Sequence, residues 1–363
     1  MKKPHVAIIV DPCHGHLYPT LGILSELVAR GCRVSCATSK YFSERIAKCG
    51  GEPIVYTPLE PIICSKRFIQ AGGGDRATTM RFWKEYEQEE LENALTQLED
   101  LYRDKRPDLI LYDLRTPYAQ VLASEWNIPK IEHSPQFIRK GGYSWVGRPY
   151  DETLVLVSAP RILHPYVDEL DQRFHFIGPI YSSRDFFEPW TPRSEERPRI
   201  LVSATTALAQ PDFFKLMVAA FRDLPLRIIL SIGDALDPES LGPLPSNFEV
   251  NQSSSHLEIL KYVSLFVCQG GLGSSLEALY RGVPVLAIPA SEFHEEVAVR
   301  IAELGLGIRL EPPGTVEAIR DSATFLMRSI ETQQRIREVQ KLIQQTDGAK
   351  LAGDLIMGRL NGS

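Results

Sequence analysis

Two stretches of this chain hold residue types at spacings that could do chemistry. The first is Asp11-Pro12-Cys13-His14-Gly15-His16-Leu17-Tyr18-Pro19-Thr20-Leu21, which follows the apolar run His5 to Val10. His16 falls where a helix should start, at the carboxyl end of a strand, the edge at which α/β sheets bind ligands. A neutral imidazole there can take a proton from an incoming hydroxyl. Such a base works best beside a carboxylate that fixes its tautomer and stabilises the imidazolium as it forms. Asp113 ends a second apolar run, Leu109-Ile110-Leu111-Tyr112, and is expected on the same edge of the same sheet. Taken singly, His16 also fits a surface or structural histidine, and Asp113 a turn residue or helix N-cap.

The second stretch is Leu265-Phe266-Val267-Cys268-Gln269-Gly270-Gly271-Leu272-Gly273-Ser274-Ser275-Leu276-Glu277-Ala278-Leu279. It reads as a buried strand, a tight glycine turn and a helix. Glycine lets the main chain approach a ligand closely, and a helix N-terminus attracts anions through its unpaired N–H groups and dipole. Ser274 and Ser275 place hydroxyls where they can cap the helix or meet an oxyanion. Phosphate or diphosphate is the natural ligand, and an ordinary strand–glycine–helix joint is the alternative. The spacing matches neither the Gly-Lys-Ser/Thr phosphate loop nor G-x-G-x-x-G.

Composition narrows the class. At 363 residues the chain suits two domains, and a net charge of −6 with no basic run argues against nucleic acid as a partner. No run of about eighteen apolar residues offers a membrane span. Met1-Lys2-Lys3-Pro4 has the look of a signal n-region, but Val6 to Val10 is too short for the apolar core that must follow, so a cytoplasmic protein is expected. The six cysteines show no C-x-x-C pair or other zinc spacing, and no disulfides are expected. Cys36 and Cys268 read as reduced core residues, and Cys13, although in a candidate site loop, as packing.

The elements that must position these stretches alternate. Strands are expected at His5 to Val10, Arg33 to Thr38, Glu52 to Tyr56, Leu109 to Asp113 and Lys130 to Glu132. Between them lie helices at Tyr18 to Ala29, Tyr41 to Lys48, Thr78 to Tyr102 and Pro117 to Glu125. Glu188 to Pro198, rich in proline and charge, reads as a linker. The rhythm then restarts, with strands at Ile200 to Ser203, Arg227 to Ser231, Phe248 to Asn251, Leu265 to Cys268 and Pro284 to Pro289. Helices are expected at Pro211 to Phe221, Leu257 to Lys261, Glu295 to Leu304 and from Val316 onward. Strand–helix alternation implies parallel sheets covered on both faces. The economical architecture is α/β, with two Rossmann-like domains facing each other across a cleft. Residues 1–188 form the first domain, 189–198 a linker, 199–345 the second domain and 346–363 a helical tail.

These residues together resemble the nucleotide-sugar glycosyltransferases of the GT-B fold, particularly macrolide and other natural-product glycosyltransferases. The N-terminal marks are Gly15-His16-Leu17-Tyr18-Pro19-Thr20-Leu21 and Pro107-Asp108-Leu109-Ile110-Leu111-Tyr112-Asp113. The C-terminal marks are the glycine turn, Glu277, Gly282-Val283-Pro284 and Glu303-Leu304-Gly305-Leu306-Gly307. The resemblance implies an inverting displacement. His16, assisted by Asp113, deprotonates an acceptor hydroxyl, which attacks the anomeric carbon of a UDP- or dTDP-sugar and expels the nucleoside diphosphate. The nucleotide sugar is a co-substrate, and no cofactor or metal is implied. Residues Thr205, Thr206, Ser253, His256, Gln269, Gly271, Gly273, Ser274, Ser275, Glu277 and His294 fall at nucleotide-sugar positions, with Ser274 toward phosphate and Glu277 toward the ribose.

The donor half departs from the family pattern at four places. Gln269 stands where a histidine usually touches the diphosphate, a difference worth about 1 kcal/mol of anion binding. Phe293 and His294 stand at the acid–glutamine pair that holds sugar hydroxyls, with Glu292 or Glu295 as substitutes after a register shift. Ser253 replaces a tryptophan, and Thr205-Thr206 a Gly-Ser turn. The acceptor half keeps its pair but is shortened between Phe137 and Leu154, which suits a bulky, flat or carrier-protein-tethered acceptor. Oligomerisation beyond a monomer or homodimer is not implied. Two alternatives remain: an accessory or binding protein that has lost donor use, and a sugar-independent acid–base catalyst of elimination, isomerisation or cyclisation.

Overall fold

The computed structural model describes residues 3–59, 76–143, 152, 154–181, 190–192, 197–204, 211–233, 236–252 and 255–362. The chain divides into two compact units, one of Met1–Phe186 with Thr346–Ser363 and one of Phe187–Gln345.

The first unit is built on a parallel sheet of seven strands: β1 (His5–Ile9), β2 (Arg33–Thr38), β3 (Glu52–Val55), β4 (Leu109–Asp113), β5 (Lys130–Ser134), β6 (Val155–Val157) and β7 (Phe174–Phe176). Their order is β3-β2-β1-β4-β5-β6-β7. Helices α1 (His14–Ala29), α2 (Ser43–Lys48), α3 (Arg76–Tyr102) and α4 (Tyr118–Glu125) connect them. The two-residue period of the strands sorts the core onto both faces. Val6 and Ile8 of β1 pack with Leu17, Leu21 and Leu24 of α1, while Ala7 and Ile9 pack with Ala94 and Leu98 of α3 and Leu122 of α4. That is why these strands read as unbroken apolar runs rather than alternating ones.

The second unit holds β8 (Arg199–Ser203), β9 (Arg227–Ser231), β10 (Phe248–Asn251), β11 (Leu265–Cys268), β12 (Val285–Ala287) and β13 (Gly307–Arg309), also all parallel, in the order β10-β9-β8-β11-β12-β13. Its helices are α5 (Pro211–Phe221), α6 (His256–Ile259), α7 (Leu272–Tyr280), α8 (Glu292–Glu303), α9 (Val316–Arg328) and α10 (Ile330–Gln345). Phe214, Met217 and Phe221 of α5 and Ile319, Ala323 and Leu326 of α9 bury against one face of this sheet. Gly307 sits where a Cβ would collide with the carbonyl oxygen of Val285, so only glycine lets β13 pair with β12 at this point. The last helix, α11 (Gly348–Asn361), returns to the first unit, where Ala352 and Ile356 join the core around α1. Among the described residues, no helix is long and apolar enough to cross a membrane.

Three features differ from the sequence-based expectation. Helix α1 begins at His14 rather than Tyr18, which puts His16 in its first turn instead of in a loop. Pro19 lies inside α1, past its first turn, where it offers no N–H to the carbonyl of Gly15. Helix α8 likewise begins at Glu292 rather than Glu295, because Ser291 caps it by accepting the His294 N–H. Phe293 and His294 therefore belong to its first turn. Strands β6, β7 and β13 were not anticipated, since three residues show no period.

Candidate active site

Parallel pairing of β1 with β4 puts Ile9 opposite Tyr112, so the turns leaving the two strands emerge side by side. That register delivers His16 to Asp113. The imidazole Nδ1 lies 2.9 Å from Oδ1 and 2.9 Å from Oδ2 of the carboxylate. Both residues are buried, Asp113 to 1% and His16 to 6% exposure. With Nδ1–H donating to the carboxylate, Nε2 carries the lone pair, and the side-chain amide of Gln136 lies 3.4 Å from it. Burial works to raise the Asp113 carboxyl. The neighbouring His16, the nearby His133 and the backbone N–H of Arg115 outweigh it and hold that carboxyl below its usual range. His133, opposite Asp113 on β5, is held neutral by burial, which pushes its imidazole down to about 4. The dyad is thus an ionised acid, a correctly oriented imidazole and no competing cation from His133.

The turn between β1 and α1 adds Asp11 and Cys13. With His16 they place ligand atoms within 4.8 Å of one another, which is the residue chemistry of a metal site. Each of those groups already has a partner. Arg115 Nη1 sits 2.8 Å from Asp11 Oδ2, the Cys13 thiol donates to the same oxygen at 3.5 Å, and Asp113 takes the His16 Nδ1–H. Burial, followed by Asp11, pushes the Cys13 thiol well up, which disfavours a thiolate ligand. The trio is an ion-paired turn beside the His16–Asp113 pair.

In the second unit the glycine turn joins β11 to α7. Gly270 has φ +81°, a left-handed conformation, and its N–H donates to Cys268 Sγ at 3.4 Å. Gly271 is the N-cap of α7, and the first intrahelical bond runs from Ser275 N–H to Gly271 O at 3.0 Å. The N–H groups of Leu272, Gly273 and Ser274 precede that bond, and Gly273 is exposed, with open space where a Cβ would stand. This is the geometry of an anion cradle. Ser274 is half-buried, its hydroxyl donating to Gly271 O at 3.2 Å. Ser275 faces the other way. It is 1% exposed with Oγ 3.9 Å from Cys268 Sγ, so it packs beneath the turn rather than meeting a ligand.

These two sites sit in a chain with extensive relatives. No protein-family model matches it. It is 32% identical to the NDP-glycosyltransferase YjiC of Bacillus licheniformis, over 98% of this chain and 98% of the relative. The chain belongs to the NDP-glycosyltransferase family. It is also 30% identical to the oleandomycin glycosyltransferase of Streptomyces antibioticus, over 98% of this chain and 91% of that protein. Among solved structures, the kitacinnamycin glycosyltransferase superposes with a TM-score of 0.83 at 28% identity, covering 99% of this chain and 100% of that one. The calicheamicin glycosyltransferase CalG4 does so with a TM-score of 0.80 at 26% identity, covering 99% of each chain. The two parallel-sheet units are those of the GT-B fold.

Within this glycosyltransferase, the other donor residues read from the sequence are placed as follows. His256, at the start of α6, lies with Nε2 3.0 Å from Ser231 Oγ and Nδ1 3.5 Å from Glu277 Oε2, so it steadies the Glu277 carboxylate. Gln269 is 8% exposed at the end of β11. His294 is buried under the glycine turn, with Nδ1 3.0 Å from Ser291 Oγ, and burial drives its imidazole down to about 4. Phe293 is half-buried, its ring centroid 5.6 Å from that of His294. Of the candidate substitute acids, Glu292 is exposed and Glu295 is tied to Arg309 at 2.8 Å. Thr205, Thr206 and Ser253 lie outside the described residues, as do Pro189 and residues 193–196 of the linker.

Three participants escaped the sequence reading. Gln136 reaches His16 from 120 positions away, a contact that only the β5–β4 register creates. Arg115 had a usable signal, a cation two residues after a candidate catalytic acid. Gly270 had one too, since a Gly-Gly pair after a strand commonly marks a left-handed residue.

Proposed function

We propose that this glycosyltransferase moves a sugar from a UDP- or dTDP-linked donor to a hydroxyl of a small, polyketide- or macrolide-like natural product, with inversion. His16 Nε2 takes the proton of the acceptor hydroxyl. The oxygen forms its bond to the anomeric carbon as the bond to the diphosphate oxygen breaks, and the nucleoside diphosphate leaves with the electron pair. Asp113 holds the proton on Nδ1 and balances the charge of the imidazolium. The α7 N-terminus, with Gln269 and Ser274 beside it, receives the diphosphate, and Glu277, steadied by His256, receives the ribose hydroxyls.

The observation that carries this reading is the bidentate approach of His16 Nδ1 to Asp113 at 2.9 Å. It turns the lone pair of Nε2, next to the Gln136 amide, toward an incoming hydroxyl beside an ionised acid. The names of the relatives support the substrate class. The test is mass-spectrometric detection of glycoside from a panel of UDP- and dTDP-sugars and polyketide alcohols. Transfer by the wild type and its loss in His16→Ala are expected. Conversion of an acceptor without any nucleotide sugar would instead favour sugar-independent acid–base chemistry at the same dyad. Transfer that survives His16→Ala would remove His16 as the base.

A further inference from the structure

Arg115 touches both halves of the dyad's support. Its backbone N–H donates to Asp113 Oδ1 at 2.8 Å, and its guanidinium reaches back to the preceding turn, with Nη1 2.8 Å from Asp11 Oδ2. Asp11 in turn shapes the start of α1. Its carbonyl accepts the Cys13 N–H at 2.7 Å, and the Cys13 carbonyl accepts the N–H of His16 at 3.2 Å and of Leu17 at 2.9 Å. A continuous chain of bonds therefore runs from the acid, through one arginine, to the backbone of the base.

The ion pair is well shielded. The side chains of Arg115 and Asp11 are 19% and 5% exposed, so salt screens it little and loss of one partner strands a charge. Burial opposes the guanidinium charge, yet the Asp11 carboxylate beside it, with Asp113 behind, keeps it protonated. Nothing in the proposed reaction needs Arg115 to touch substrate.

We propose that Arg115 is a positioning residue: by tying the turn before α1 to the turn after β4, it sets the separation of His16 and Asp113. This deepens the proposed function and rests on the dyad acting as the base. A misplacement of about 1 Å in such a pair costs on the order of 100-fold in rate, whereas ligand binding elsewhere is untouched.

The test uses the full chain and a signal that does not require turnover, the low-field proton resonance of the His16 Nδ1–H, assigned by its absence in His16→Ala. Arg115→Lys keeps the charge and should keep the resonance. Arg115→Met should broaden or shift it and lower kcat about 100-fold at unchanged KM for the nucleotide sugar. Because Arg115→Met leaves Asp11 without its cation, the Asp11→Asn/Arg115→Gln double variant, which removes both charges, is measured alongside and should show the same loss. An unaltered resonance in the double variant, even with a lower melting temperature, would reduce Arg115 to a structural residue and overturn the proposal. A wild type that transfers no sugar, but whose resonance responds to Arg115, would support the positioning role and contradict the transferase reading.

Discussion

A Cβ on Gly270 would stand 2.6 Å from the backbone carbonyl oxygen of His294, so the glycine turn and the first turn of α8 fit together only through the missing side chain. Two sequence marks that read as separate departures from the family pattern, Gln269 before the turn and His294 in α8, thus belong to one packed unit. Gly270→Ala would have to bear both a left-handed alanine and this collision. An unfolding free energy lower by more than about 2 kcal/mol is expected. Nucleoside diphosphate affinity should fall with it, because the displaced turn carries the cradle. Denaturant titration and calorimetric binding check both.

Asp113→Asn keeps the shape of the dyad and removes the charge. An amide can offer N–H to Nδ1, which favours the tautomer with its proton on Nε2, the wrong one for a base. A fall in kcat of about 10³-fold is expected, with nucleotide binding unchanged. Equal activity would show that the tautomer is set elsewhere.

The buried His294 gives the second unit an acid sensitivity of known sign. Its imidazole is held at about 4 instead of 6.5, so between those values the unfolded chain binds a proton that the folded one refuses. The stability involved is fully present above pH 6.5 and is lost as pH falls toward 4, at roughly 1 kcal/mol per pH unit. His294→Gln retains a polar side chain without that titration. Its stability relative to wild type should rise as pH is lowered from 7 to 5 in scanning calorimetry, and a constant difference would contradict the assignment.

Glu90 has the opposite sign. It is 4% exposed in α3, and burial lifts its carboxyl to about 7 despite the Leu59 N–H and the Asn93 amide donating to it. The folded chain keeps a proton between 4.5 and 7 that the unfolded chain releases, so this contribution is present below 4.5 and lost as pH rises through 7. Glu90→Gln, which still offers an acceptor to Leu59, should stabilise the protein by about 2 kcal/mol at pH 8 and by almost nothing at pH 4.5. Paired denaturant titrations at the two pH values check this.

Much of the scaffold was legible because fully buried parallel strands announce themselves as apolar runs. Leu109 to Asp113, Arg227 to Ser231 and Leu265 to Cys268 are bounded as expected. The dyad followed from the same logic, since two runs ending in one sheet bring their last residues to one edge. What was hidden depends on contacts rather than on local pattern. The early starts of α1 and α8 are decided by how Cys13 and Ser291 meet the helix N–H groups. The side chain of Gln136 is brought to His16 by strand order, and the Asp11–Arg115 ion pair joins residues from two different loops. Ser275 illustrates a limit of motif reading: adjacent serines lie about 100° apart around a helix, so one faces out and the other packs inward.

The most direct test is calorimetric titration of the wild-type protein with UDP and with dTDP, each alone and as its glucose conjugate. Micromolar binding of one nucleotide, weakened by Gly270→Ala and indifferent to Asp113→Asn, is the expected result. No heat of binding at millimolar concentrations of either nucleotide would contradict donor use and, with it, the proposed sugar transfer.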